Sequence, residues 1–216
     1  MKVKNIGIEL EFFVKEISTG KIVPAYTVTR SLDGDPFIGE IKTGIHNNAY
    51  KLFYELKRLV HEENDNLNEL GYEVSILPEY KMSNSQYLDL RKDRNYINNK
   101  ELDLLEVFSI YNRKAQKVLP RLLRKTSLQL NISENSKIYY TDNNEEKFRY
   151  YSELFDYIPI IKSLDDNFSE EISDTNRIKG VCSFKEGDYG KRLEYRSLPS
   201  SIDLNKLLNI LKEIYD

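Results

Sequence analysis

The residues best suited to chemistry sit in three short stretches that alternate like strands. In a strand, residues i and i+2 share a face and lie about 7 Å apart. In IGIELEFF (6–13), Ile6, Ile8, Leu10 and Phe12 form one face, and Gly7, Glu9, Glu11 and Phe13 form the other. In SLQLNIS (127–133), Leu128, Leu130 and Ile132 oppose Ser127, Gln129, Asn131 and Ser133. In RLEYRSL (192–198), Leu193, Tyr195 and Ser197 oppose Arg192, Glu194, Arg196 and Leu198. Each strand thus pairs an apolar side with a side of acids, amides or guanidinium groups. An antiparallel sheet with one solvated face has this pattern. However, a wet strand surface favours Thr and Lys over Glu, Gln, Asn and Arg. Glu9 and Glu11 also repel each other at this spacing unless a cation sits beside them. Carboxylates combined with arginine suit Mg²⁺ and a nucleoside triphosphate, through hard oxygen ligands and phosphate donors.

The elements that must position these residues follow from periodicity. Residues 3–14 read as a strand, and 20–29 as a second, with Pro24 marking an edge or bulge. LDGD (32–35) is a turn signal and 37–43 a short strand. From 47 to 70 the pattern is helical, with Tyr50, Phe53, Leu56, Val60, Leu67 and Leu70 near one stripe and Gly71 as a stop. Residues 72–80 alternate as a strand, and 81–100 read mostly as loop. Helices are expected over 101–124, broken near Pro120, and over 144–164, kinked or split near Pro159. Residues 165–177 read as a mobile acidic loop, 179–199 as a hairpin, and 203–215 as a closing helix capped by Asp203. The expected class is α+β, a curved antiparallel sheet with helices packed on one face.

Composition narrows the function. The 216 residues fit one domain, and a net charge of −3 gives no general pull toward nucleic acid. One cysteine, Cys182, cannot form an internal disulfide or a cysteine metal site, which suits a reducing cytoplasm. The start of the chain lacks signal-peptide features, and no apolar run reaches the ~18 residues of a membrane span.

Four islands of the sequence resemble the carboxylate–amine ligases, or amidoligases, of phages and bacteria, within the glutamate–cysteine ligase and glutamine synthetase-like superfamily. They are IELEF (8–12), LDGDPFIGEI (32–41), SLQLNIS (127–133) and YGKRLEYRSLP (189–199). The resemblance implies one domain over 1–216, with a curved sheet that binds ATP and Mg²⁺. By position it implies metal ligation by Glu9, Glu11, Glu40 and Glu194. Arg196 would hold the transferred phosphoryl group, and Arg177 would be a further clamp. SLQLNIS occupies the place of a His-x-His strand, so Gln129 and Asn131, with Arg192, would face the nucleotide through weaker neutral ligands. The implied reaction joins a small-molecule or peptide carboxylate to an amine through an acyl phosphate. The alternative is a nucleotide- or peptide-binding module that kept the fold with reduced catalysis. Glu79 is a candidate general base, and an exposed strand end is its plainer reading. His46 and His61 are too far apart for a histidine metal motif. The basic clusters RKDR (91–94) and RLLRK (121–125) read as solvated helix faces, and Cys182 as a buried thiol.

Overall fold

The computed structural model describes residues 5–32, 35, 37–90, 108–109, 122–133, 157–185 and 192–215. The opening alternation becomes β1 (Asn5–Glu16), a 12-residue strand that organises the fold. It pairs antiparallel with β2 (Ile22–Val23), β3 (Gly39–Lys42), β4 (Tyr72–Ser75) and β8 (Ser127–Ser133). Beyond β8 the order continues through β10 (Arg192–Pro199), β9 (Val181–Lys185) and β6 (Phe108–Ser109). A separate antiparallel pair joins β5 (Glu79–Lys81) to β7 (Leu123–Lys125). The fold is therefore α+β with an antiparallel sheet.

The apolar side of the sheet carries the main core. Ile6, Ile8, Leu10 and Phe12 of β1 join Leu128, Leu130 and Ile132 of β8, and Leu193, Tyr195 and Leu198 of β10. Four helices contribute to the same cluster. They are α1 (Ala49–Asn68), α3 (157–167), α4 (Ser169–Asp174) and α5 (Leu204–Tyr215). Among the described residues a further helix, α2 (Asn84–Leu90), instead brings Tyr87 to a smaller cluster of Phe13, Ile22, Phe37, Ile38 and Met82. Phe37 and Tyr80 stack there at 5.9 Å between centroids, and Phe13 meets Phe37 edge-on at 6.2 Å and Tyr80 at a tilt, 5.8 Å away.

Helix α1 starts where expected. The Asn48 side chain caps it by accepting from the Lys51 amide at 3.1 Å, and Gly71, at φ +84°, turns the chain out of it. Its buried stripe is Ala49, Leu52, Phe53 and Leu56, with Leu67. Tyr50 and Leu70, expected on that stripe, are exposed, and Tyr50 lies beneath the Lys212 ammonium. The Asp203 carboxylate accepts from the Asn205 and Lys206 amides, so it caps α5 as expected.

Several expectations are corrected. The second strand ends at Val23, because Pro24 leads into a 3₁₀ turn over Ala25–Thr27. The stretch 72–80 is two strands with Pro78 between them. Part of the expected 81–100 loop is the helix α2. Within the expected helix 101–124, Phe108–Ser109 and Leu123–Lys125 are strands and Leu122 is a turn, and the remainder lies outside the described residues, as do 144–156. The acidic stretch 165–177 is not a mobile loop. Phe168 and Ile172 are buried in the main core, and α4 occupies its centre. Arg124 of the second basic cluster is not on a solvated helix face either. It is buried on β7 and ion-paired with Asp35 at 2.5 Å. RKDR lies outside the described residues.

Candidate functional site

Strand register places the chemistry-bearing residues together. Across β1 and β8, Glu9 lies opposite Gln129 and Gly7 opposite Asn131. Across β1 and β3, Glu9 lies opposite Lys42 and Glu11 opposite Glu40. Glu194 of β10 lies opposite Asn131 on one side and Ser183 on the other. Glu9, Glu11, Glu40, Gln129, Asn131 and Glu194 thus share the sheet face away from the main core. All six are buried, so this is not a wet surface.

Burying so many polar groups requires partners. Glu11 accepts from the Ser127 amide at 2.7 Å and from Gln129 Nε2 at 2.5 Å. Glu9 Oε1 accepts from Asn131 Nδ2 at 3.0 Å, and Asn131 Oδ1 accepts from Arg192 Nε at 2.6 Å. Arg192 Nη2 also lies 3.9 Å from Glu9. Glu194 Oε1 accepts from Ser183 Oγ at 3.0 Å and Arg196 Nη1 at 2.6 Å. Lys42 Nζ lies 2.6 Å from Glu40 and 3.8 Å from Glu9. Gln129 and Asn131 therefore orient the two β1 carboxylates. Spacing alone did not disclose that role.

Lys42 escaped the sequence reading. The available signal was its i+2 position from Glu40 in FIGEIKT, which puts it on the same face.

Electrostatics singles out Glu9 and Glu40. Burial alone would raise the Glu9 carboxyl. A hydrogen bond from the Glu40 carboxyl, the charges of Lys42 and Arg192, and the Asn131 amide outweigh burial and hold it below the usual carboxylate range. Two carboxylates that share one ammonium, Lys42, lie where positive charge is needed between them. The donors are carboxylate oxygens, so the pair fits a hard divalent cation in ligand chemistry. Glu11 and Glu194 are drawn toward their own donors. Among the described residues, no three His, Cys, Asp or Glu side chains converge as a ready-made metal cage.

The strand β10 departs from the expected alternation. Tyr195 pairs with Leu130 and Leu198 with Leu128, so one extra residue is inserted between them. The bulge moves Leu198 into the core, where it is fully buried. It also carries Arg196. Ser197 Oγ accepts from the Val181 amide at 2.9 Å, and Arg177 Nη1 donates to the Arg196 carbonyl at 3.3 Å. Arg177 also donates to the Thr126 carbonyl. Its guanidinium thus spans two backbone carbonyls, with Nε buried and without a hydrogen-bond partner among the described residues. Burial lowers the Arg177 pKa, opposed chiefly by Glu11.

Other candidates take plainer roles. Glu79 is exposed at a strand end, 3.8 Å from Lys125. His46 pairs with Glu55 at 2.5 Å, and His61 is exposed. Cys182 is fully buried, and burial pushes its thiol pKa far up, which removes the nucleophile. A groove of about 540 Å³, lined by Leu10, Leu56, Val60, His61, Ser201 and Leu204, lies on the opposite side of the sheet from the acids. No helix among the described residues is long and apolar enough to cross a membrane. No protein-family model, curated protein or solved structure matches the chain.

Proposed function

We propose that the buried acidic face of the sheet is the Mg²⁺–ATP site of a carboxylate–amine ligase. The observation that carries this reading is that the Glu9 and Glu40 carboxylates flank one ammonium, Lys42 Nζ at 3.8 and 2.6 Å, on one sheet face with Glu11, Glu194 and the Arg196 guanidinium. A purely structural sheet has little use for four acids on one buried face, since each costs desolvation. Bound Mg²⁺ would supply charge neutralisation at the triphosphate. Glu9 and Glu40 would hold it, with Glu11 and Glu194 beside them. Asn131 and Gln129 keep the β1 carboxylates aimed. Arg192 and Arg196, both partly exposed, would turn their guanidinium groups to phosphate oxygens.

In the reaction, a substrate carboxylate oxygen attacks the γ-phosphorus as the bond to ADP breaks. An amine then attacks the acyl carbon, phosphate leaves, and the proton lost from nitrogen passes to solvent. The chain contributes position and charge complementarity.

A second reading, a binding module with reduced catalysis, is favoured by one observation. Every acid on the face has a donor or cation partner within the chain itself.

The deciding measurement is calorimetric Mg²⁺–ATP binding by the wild type, Glu9→Gln and Glu40→Gln. These amides keep the shape of the side chains. Glu11→Ala is a poorer test, since it strands the Ser127 amide and Gln129. At least a tenfold loss of affinity in both variants is expected. Wild-type affinity in both, or no binding by the wild type, overturns the reading. ADP release with a carboxylate and amine panel then separates ligase from binding module.

A further inference from the structure

The Lys42 ammonium sits at the one place on this face where a cation is most needed. Register sets it directly across from Glu9, and spacing sets it on the same side of β3 as Glu40. Its Nζ lies 2.6 Å from Glu40 and 3.8 Å from Glu9, so it contacts both members of the carboxyl pair. Depth separates the three groups. The Lys42 side chain is 59% exposed, whereas those of Glu40 and Glu9 are 3% and 12% exposed. The carboxyls form the floor and the ammonium stands at the mouth. A lysine head on a flexible stem can leave such a position by rotamer change, because its far side already faces solvent. Arg192 adds charge at Glu9, 3.9 Å away, but Lys42 is the ammonium that reaches both acids, the position a divalent ion would take with twice the charge.

We propose that Lys42 is a tethered stand-in for the cation, holding the Glu9–Glu40 pair in the metal-free protein and giving way when a divalent ion enters. This rests on the reading of Glu9 and Glu40 as metal ligands, and sets the affinity of that site. The lysine raises the metal concentration needed to fill it and prevents repulsion between the acids before it is filled. Because Lys42 is exposed, neutral substitutions at it leave the core untouched.

The test is Mn²⁺ binding to the full chain without nucleotide, by electron paramagnetic resonance of free Mn²⁺. Wild type, Lys42→Gln and Lys42→Arg are compared. Lys42→Gln should bind about tenfold more tightly than wild type, the scale expected when no exposed ammonium must be displaced. Lys42→Arg, which keeps the charge, should not tighten. The melting temperature of metal-free Lys42→Gln should fall and be restored by Mn²⁺. Equal or weaker binding by Lys42→Gln than by a wild type that binds overturns the stand-in role; weaker binding would mark Lys42 as assisting the site. Failure of every variant to bind Mn²⁺ overturns the metal reading of the acid pair, and the inference with it.

Discussion

Gln129 is the clearest example of a side chain whose role depends on what it faces. It is buried and gives Nε2 to Glu11 at 2.5 Å and to Ser127 Oγ at 3.1 Å. Replacing it with Leu keeps the volume and removes the donor. The Glu11 carboxylate then loses one hydrogen bond in a site that water reaches poorly. We expect Gln129→Leu to lower stability by about 1–3 kcal/mol, read as a shift of the urea midpoint at unchanged slope. A midpoint within error of wild type would show that Glu11 does not depend on it. The sequence placed Gln129, Asn131, Glu9, Glu11 and Glu194 on one face, because alternation depends only on each strand. It could not show that the amides serve the carboxylates, since that depends on which strands are neighbours and in what register. Lys42 was missed for the same reason, as its importance comes from lying opposite Glu9.

Elements show where local rules were overridden. The long strand β1 and helices α1 and α5 were legible, because their patterns run over many residues and end at Asn48, Gly71 and Asp203. The bulge in β10 was not, since an inserted residue leaves composition unchanged and only pairing with Leu130 and Leu128 reveals it. The α4 region was misread because its acids, Glu170 and Glu171, hid the buried Phe168 and Ile172.

The pairing of β1 with β3 has a testable weak point. Gly39 lies opposite Phe12, and a Cβ built there would stand 2.6 Å from Phe12 Cε2 and 2.7 Å from Cε1. The ring is fully buried and has no free space to move into. Gly39→Ala should therefore destabilise by about 1–3 kcal/mol, and Phe12→Leu in the same chain should recover part of the loss. Additive losses in the double variant, measured by thermal melts, would show that the ring is not the obstacle.

The connector between β3 and α1 is held by Glu55, which accepts from the Gly44 amide at 2.9 Å and contacts His46 at 2.5 Å. The His46 hydrogen bond, joined by the Gly44 amide and the charges of His46 and Arg58, outweighs partial burial and holds the Glu55 carboxyl below its usual range. A depressed folded-state pKa adds stability above the unfolded value of about 4.3, and that stability is lost as pH falls through the folded value. Glu55→Gln should cost roughly 1 kcal/mol at pH 7, and the two proteins should converge near pH 3. A difference that persists undiminished at pH 3 would rule out the charge as its source.

At the scale of the whole molecule, β1 joins two cores that face opposite ways. Phe12 and Val14 enter the main cluster, whereas Phe13, between them, enters the smaller one with Phe37 and Met82. The acidic face lies on the same side of β1 as Phe13, so the smaller cluster closes one end of the candidate site. One strand shared by both cores should make them unfold together, because neither keeps its packing once β1 leaves. Phe13→Ala in the smaller cluster should cost about 3–5 kcal/mol and Leu56→Ala in the main one about 2–5 kcal/mol. Both variants should still show a single transition. The chain has 16 Tyr and no Trp, so tyrosine near-ultraviolet dichroism can report packing while far-ultraviolet dichroism reports helix. Coincident curves from the two signals in both variants are the expected result. If Phe13→Ala instead lost its tyrosine signal at lower urea than its helix, the smaller cluster would be an independent unit. The acids of β1 would then rest on the main core alone, and Glu9 and Glu11 should keep their partners after the smaller cluster opens.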